Sequence, residues 1–128
     1  MACASRRWLG VARYQHLPVY QLSYSLVRES YHLKAKLPKL LKYDLGSDIS
    51  RSCLRVLKGA ILANSHAGVS RVRILVQVSL EVEVLWTYYR LLYDLKGISG
   101  GEFQVISERL SEIGSQINAW LKWAKKNS

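Results

Sequence analysis

The sequence predicts an all-α fold, an antiparallel up-down four-helix bundle, from three observations. Its 128 residues are enough for one domain with a core of its own. The two prolines and eight glycines are few, and most of them stand between apolar segments rather than inside them. Within those segments the apolar residues recur at steps of three and four, which is the spacing of one helix face.

The first helix is predicted from about Leu17 to Leu37, because Pro38 cannot continue it. One apolar stripe is expected to face the core: Val19, Leu22, Leu26, Leu33 and Leu37. A second apolar stripe lies roughly opposite the first: Tyr20, Tyr24, Val27 and Tyr31. A helix that is apolar on two sides must be covered on two sides.

The second helix is predicted to begin near Asp44 or Ser47, either of which can cap it, and to end at about Ser65. Its core face is formed by Leu45, Ile49, Cys53, Val56, Leu57 and Ala60. Nearly opposite this face, Arg51, Arg55 and Lys58 follow the i, i+4, i+7 spacing that aligns side chains on a helix. We call these three cations the basic ridge. Asp48 is the one acid close enough in sequence to offset them.

The third helix is predicted to begin after the break at Gly68 and Ser70. Its core stripe is Leu75, Val78, Val82, Leu85, Tyr89 and Leu92. A second apolar stripe follows another side: Leu80, Val84, Tyr88, Leu91 and Leu95. Only a narrow polar strip remains for water, so this helix is too apolar for the surface of a monomer.

The fourth helix is predicted to follow Gly97, and the spacing of Ser99 and Glu102 is that of a capping box. Its core stripe is Phe103, Ile106, Leu110, Ile113, Ile117, Trp120 and Ala124. Lysines near its end complement the helix dipole. Short loops between long helices predict antiparallel neighbours in one bundle domain over residues 17–126. Residues 1–16 are predicted to be a loosely ordered N-terminal leader.

The net charge of +10 is unevenly distributed along the chain. Residues 1–75 hold thirteen lysines and arginines against three acids, whereas residues 76–128 hold six of each sign. Such asymmetry indicates a polyanionic partner, RNA or DNA, because solubility alone does not require it. The predicted nucleic-acid-binding residues are Lys36, Lys39, Lys42, Arg51, Arg55, Lys58, Arg71 and Arg73. The alternative is an ordinary solvated charged face. No motif for reading bases is present.

The spare apolar stripes of the first and third helices predict self-association. The predicted interface residues are Tyr20, Tyr24, Tyr31, Leu80, Val84, Tyr88 and Leu91. The alternative is a thick core with partly exposed tyrosines. No apolar run is long enough to span a bilayer, so no membrane partner is expected. Two separate cysteines, Cys3 and Cys53, suggest free thiols and a cytoplasmic location.

Residue patterns typical of catalysis or cofactor binding are weak, and no cofactor is expected. The three histidines lack partners at metal-ligand spacing, so no metal site is predicted. Glu81 and Glu83 point in nearly opposite directions on a helix and cannot share a site. The glycines around Ser99 lack the Gly-Lys-Ser/Thr ending of a phosphate loop. We therefore expect a protein that is not an enzyme, with a small enzyme as the less favoured alternative.

Three short motifs resemble the four-helix-bundle family of accessory variability proteins from diversity-generating retroelements and proteins encoded by 23S ribosomal RNA intervening sequences. Between the first two helices, Lys36-Leu37-Pro38-Lys39 and Tyr43-Asp44-Leu45-Gly46 resemble its Lys-Phe-Pro-Lys, aromatic and Leu-Gly pattern, with Leu37 in place of Phe. Arg90-Leu91 with Asp94-Leu95-Lys96, and Ile113-Gly114 with Trp120-Leu121-Lys122, resemble two further segments. The chain departs from the pattern at Asn118-Ala119, where the family has two glycines, and at Ser115, where it has a basic residue.

The resemblance spans about Leu17 to Lys122 and implies a homopentameric barrel of four-helix bundles without catalysis of its own. It further implies that the protein binds nucleic acid and the reverse transcriptase of the element, supporting error-prone copying of a template RNA into cDNA. The alternative within the same family is a structural or interaction protein of the ribosomal intervening-sequence type.

Overall fold

The computed structural model describes residues 16–128, which form four long helices and one short helix. The helices are α1 (Pro18–Lys36), α2 (Lys39–Lys42), α3 (Leu45–Ser65), α4 (Gly68–Asp94) and α5 (Gly100–Lys126). No strand occurs in this range. The fold is therefore the predicted all-α four-helix bundle, with α2 as a single turn in the first connection. The predicted leader, residues 1–16, lies outside the described residues except for its last position.

The core of the bundle lies where α3 and α4 pack together, with α1 and α5 on their two sides. All six residues predicted for the core stripe of α4 are buried. The predicted core stripes of α1, α3 and α5 are likewise buried or partly buried. The packing of α1 against α5 is much less extensive than that of the other neighbouring pairs. One seam of the bundle is therefore open.

Buried serines line the contact between α1 and α3, which the apolar pattern did not predict. Ser30 Oγ donates to the Val27 carbonyl oxygen at 2.7 Å and lies 3.3 Å from Ser50 Oγ. Ser23 of α1 is also fully buried. Their small side chains allow the two helices to approach closely, and the hydrogen bonds of Ser30 offset the cost of burying its hydroxyl.

Helix ends follow the predictions in two places and depart from them in two others. The Ser99 side chain accepts from the Glu102 amide, and the Glu102 side chain accepts from the Ser99 amide, so the capping box is confirmed. Pro38 follows the end of α1, as expected. At the start of α3 neither expected side chain caps the helix. Asp44 occupies the N-cap position without a capping hydrogen bond, and Ser47 Oγ instead donates to the Lys42 carbonyl at 3.5 Å.

The end of α4 is closed by Lys96 rather than by a glycine. Lys96 has a positive φ of 64°, and its amide bonds the Tyr93 carbonyl while the Gly97 amide bonds the Leu92 carbonyl. This pair of bonds is the Schellman arrangement. Gly97 has a different role, since a Cβ there would lie 2.5 Å from Leu92 Cδ1 and would force that side chain to shift.

A thiol and a phenol lie together in the core. Cys53 Sγ is 4.0 Å from the Tyr89 hydroxyl, and both side chains are almost completely buried. Burial raises the pKa of Cys53 from 9.0 to about 12, since a thiolate would lose its hydration there. Burial also raises the pKa of Tyr89. Both groups are therefore neutral packing residues at physiological pH.

None of the helices in residues 16–128 is both long and apolar enough to span a bilayer.

Candidate nucleic-acid interface

The basic ridge lies on the outer face of α3, where its three side chains are exposed. Arg51 Nη2 lies 3.3 Å from Asp48 Oδ1, and Arg55 Nη1 lies 3.8 Å from Glu81 Oε2. Exposed pairs of this kind contribute about 0–1 kcal/mol each. Both arginines therefore remain available to another anion, such as a phosphate.

A groove between α3 and α4 brings the ridge together with a cation from the next helix. Arg55 and Lys58 line it from α3, Arg73 lines it from α4, and its volume is about 430 Å³. We call it the basic groove. Glu81 is its one acidic lining residue, and Ser52 Oγ donates to Glu81 Oε2 at 2.6 Å. Three cations against one oriented carboxylate leave the groove positively charged.

The groove exists because α3 and α4 pack closely at its floor. Gly59 of α3 lies against Val78 of α4, and both residues line the groove. A Cβ on Gly59 would lie 2.2 Å from Val78 Cγ2. Any side chain at this position would have to displace Val78, so Gly59 allows α3 and α4 to approach closely between Arg55 and Lys58 on one helix and Arg73 on the other.

Three other predicted binding residues flank the turn between α1 and α3. Lys39 and Lys42 belong to α2 and stand at one end of the bundle, with Lys42 Nζ 6.0 Å from the centroid of the Tyr43 ring. Lys36 instead lines a cavity of about 410 Å³ along the open seam between α1 and α5. Its charge is therefore directed away from the basic groove.

Arg71 is held within the bundle instead of joining Arg73 at the groove. Its Nε donates to the Ala63 carbonyl at 2.9 Å, near the end of α3. Its guanidinium carbon lies 5.9 Å from the Trp120 ring and 5.5 Å from the Trp123 ring. Arg71 therefore ties α3, α4 and α5 together.

The cavity along the α1–α5 seam is less suited to a polyanion. Arg109 there forms an ion pair with Glu29, and Glu102 is a further acidic lining residue. The hydrogen bonds that Glu102 accepts from Ser99 lower the pKa of its carboxyl group, which keeps it charged. The positive and negative groups of this cavity thus offset one another.

The residues predicted for self-association remain on the surface of the single chain. Tyr24 and Tyr31 of α1 are about half exposed, as are Leu80, Val84 and Leu91 of α4. Tyr20 and Tyr88 are partly buried. The second apolar stripes therefore exist on the folded chain.

Sequence patterns missed several residues of this surface. Gln77 and Glu81 line the basic groove, and Leu40 and Tyr43 project from the turn that carries Lys39. Arg73, Gln77 and Glu81 follow one another at steps of four residues, about one helical turn each, which is the signal that could have placed Gln77 and Glu81 on the groove side of α4. Leu40 lies in a helix of four residues, too short for any periodicity to be read.

Arrangements typical of metal binding are absent from residues 16–128, where no three His, Cys, Asp or Glu side chains are grouped to hold an ion. Glu81 faces Ser52 and Arg55, whereas Glu83 is exposed on another side of α4. The two carboxylates do not form a pair, as expected.

Comparison with known families gives a match over most of the chain. The sequence model of the bAvd-like family matches residues 7–124. No curated protein matches the chain.

Proposed function

Because the chain belongs to the bAvd-like family, we propose that it is a non-catalytic accessory protein of a diversity-generating retroelement. In this role it binds the template RNA or its cDNA through the basic surface and associates with the reverse transcriptase of the element. It thereby supports mutagenic reverse transcription and retrohoming. The observation that carries the proposal is the basic groove, in which two helices present three cations around one carboxylate.

The geometry of the groove supports binding to a phosphate backbone. Arg55, Lys58 and Arg73 come from two facing helices, so a phosphodiester chain in the groove meets cations on both sides. Neutralising phosphates releases condensed counterions, which is the main source of affinity for sequence-independent binding. Contacts of this type position a strand without reading its bases. Weak sequence preference suits a protein that assists copying along a whole template.

Self-association is the second part of the proposal. Leu80 and Leu91 of α4 are 51% and 46% exposed, more than an isolated bundle needs to leave open. Arg73 stands on the same face of α4 as Leu80 and Leu91. Leu80 follows Arg73 by seven residues and Leu91 follows Leu80 by eleven, and both steps return to the same side of a helix. Copies that bury this stripe would bring their basic grooves close to the shared interface. A homopentameric barrel, as the family resemblance implies, would join five such grooves.

A matched pair of charge-reversed proteins tests the binding site. The first carries Arg51→Glu, Arg55→Glu and Lys58→Glu, and the control carries Lys122→Glu, Lys125→Glu and Lys126→Glu at the exposed end of α5. Both variants lose the same net charge. We expect the first to bind a labelled RNA roughly tenfold or more weakly than the control does, measured by fluorescence anisotropy at equal salt.

The same proteins separate the proposed role from its alternative. A reverse transcriptase gene beside the gene of this protein, with co-purification of the two products, would support the accessory role, as would a neighbouring pair of template and variable repeats. A wild type that binds neither nucleic acid nor polymerase would favour the structural protein of the ribosomal intervening-sequence type. Equal RNA affinity of the two variants would move the binding site away from α3.

A further inference from the structure

The turn between α1 and α3 exposes two large side chains that have no part in the core. Leu40 is 85% exposed and Tyr43 is 68% exposed, the highest values for large apolar side chains among the described residues. Leu41, between them, packs against the core. The one-turn helix α2 therefore holds Leu41 inward and Leu40 outward, and Tyr43 projects directly after it.

Two lysines belong to the same short segment as these exposed side chains. Lys39 and Lys42 belong to the same helical turn, and Lys42 Nζ lies 6.0 Å from the centroid of the Tyr43 ring. We call the segment Lys39–Tyr43 the lysine tip. A largely exposed aromatic ring with an ammonium group 6.0 Å from its centroid combines the two elements of a single-strand binding site.

We propose that the lysine tip is a stacking platform for an unpaired base, so that the nucleic acid bound by this protein is single-stranded. The ring of Tyr43 stacks on the base, and Lys39 and Lys42 contact the phosphates on either side of it. In a duplex the faces of each base are covered by its neighbours, so Tyr43 has nothing to stack on. This inference rests on the proposed function and narrows its ligand from nucleic acid in general to a single strand.

The position of the tip relative to the basic ridge favours a strand over other anionic partners. The tip directly precedes α3, and Arg51 stands about two helical turns along that helix, roughly 10 Å further on. A flexible strand that stacks at Tyr43 can therefore continue over Arg51 and into the basic groove. Duplex nucleic acid is stiffer than a single strand, and neither a duplex nor an acidic lipid surface offers an exposed base.

Substitutions of Tyr43 test the platform directly. We expect Tyr43→Ala to weaken binding of a single-stranded homopolymer RNA about tenfold or more, while a duplex RNA of equal length binds as before. Tyr43→Phe keeps the ring and should bind like the wild type. Val69→Ala is the matched control, because Val69 is 66% exposed at the opposite end of the bundle and has no place in the site. Circular dichroism verifies that all variants fold.

Four results would each overturn the platform. Equal affinity of Tyr43→Ala and the wild type for single strands would exclude stacking. The proposed function would still stand in that case if the charge-reversed variant of the basic ridge bound RNA more weakly. An equal loss for single strands and duplexes would leave Tyr43 no role specific to unpaired bases. A variant that loses binding to vesicles of acidic phospholipid but keeps its RNA affinity would make the tip a membrane contact. A wild type without any nucleic-acid affinity would refute the proposed function as well.

Discussion

Gly59 of α3 and Val78 of α4 lie so close together that a Cβ on the glycine would be only 2.2 Å from Val78 Cγ2. The same two residues line the basic groove. The close packing at this crossing and the grouping of surface cations are therefore one feature of the molecule. A change at this crossing should alter stability and nucleic-acid affinity together.

Gly59→Ala should lower the free energy of unfolding. The gain in helix propensity is about 1 kcal/mol, whereas overpacking a buried site costs about 1–3 kcal/mol. The β-branched Val78 is stiff, which places the cost in the upper part of that range, so we expect a net loss of about 1–2 kcal/mol in urea denaturation. In a protein that already carries Val78→Ala, Gly59→Ala should cost less stability than it does in the wild type, because the smaller side chain at position 78 leaves room for the new Cβ. Full additivity of the two substitutions would contradict this account.

Arg71 and Arg73 are two residues apart and should respond differently to the same substitution. Arg71→Gln removes a charged hydrogen bond to Ala63 and two aromatic contacts, so we expect a loss of about 2 kcal/mol in stability with little change in RNA affinity. Arg73→Gln should leave stability within about 0.5 kcal/mol and lower the salt slope of RNA binding by about 1. The reverse assignment of effects would show that Arg71 faces the ligand.

Replacing Lys96, which has a positive φ, by glycine should stabilise the protein. A residue with a Cβ in the left-handed conformation costs about 1 kcal/mol or more relative to glycine. Lys96→Gly should therefore raise the free energy of unfolding. The gain should not exceed about 1 kcal/mol, because the greater freedom of glycine in the unfolded chain offsets part of it. Thermal unfolding should show a higher midpoint. A lower midpoint would mean that the Lys96 side chain itself stabilises the fold.

The buried Cys53 should make the protein sensitive to alkali. In the folded chain its pKa is about 12, whereas in the unfolded chain the thiol has an ordinary pKa of 9.0. Above pH 9 the unfolded state loses the proton first, so the stabilising effect is complete below pH 9 and is lost as pH rises towards 12. The expected loss is about 1.4 kcal/mol per pH unit.

Urea denaturation of Cys53→Ala between pH 7.5 and 10.5 measures this contribution. The variant is expected to be less stable than the wild type at neutral pH, and the difference should shrink above pH 9. Tyr89 adds a loss of the same sign from pH 10 upwards, because burial raises its pKa too. Parallel stability curves for the two proteins would show that Cys53 does not retain its proton in the folded state.

Sequence periodicity was sufficient for the four long helices and for most of the core. The stripe from Leu75 to Leu92 was predicted residue by residue, because steps of three and four in a long helix specify one face. Ser30 and Ser50 were missed, since a serine looks like a surface residue until the hydrogen bond that satisfies it is seen. At the end of α4, periodicity gave no sign that Lys96, and not Gly97, takes the positive φ.

The candidate site could be predicted only in part. The basic ridge follows from helical spacing within α3, and its three side chains are exposed as expected. The grouping of Arg55 with Arg73 depends on how α3 crosses α4, which no pattern within one helix can give. Arg71 lies two positions from Arg73 and yet packs against α5, where its guanidinium lies beside the rings of Trp120 and Trp123.

The dependence of RNA affinity on salt tests the central claim most directly. The three cations of the basic groove, each neutralising one phosphate of a single strand or duplex, predict a slope of log affinity against log salt concentration of about −2 to −3, or steeper where Lys39 and Lys42 also contact phosphates. Titrations of the wild-type protein with one labelled RNA between 50 and 200 mM salt, roughly the range over which such contacts weaken, would measure it. A slope in that range supports phosphate binding by the groove. A slope near zero would contradict it.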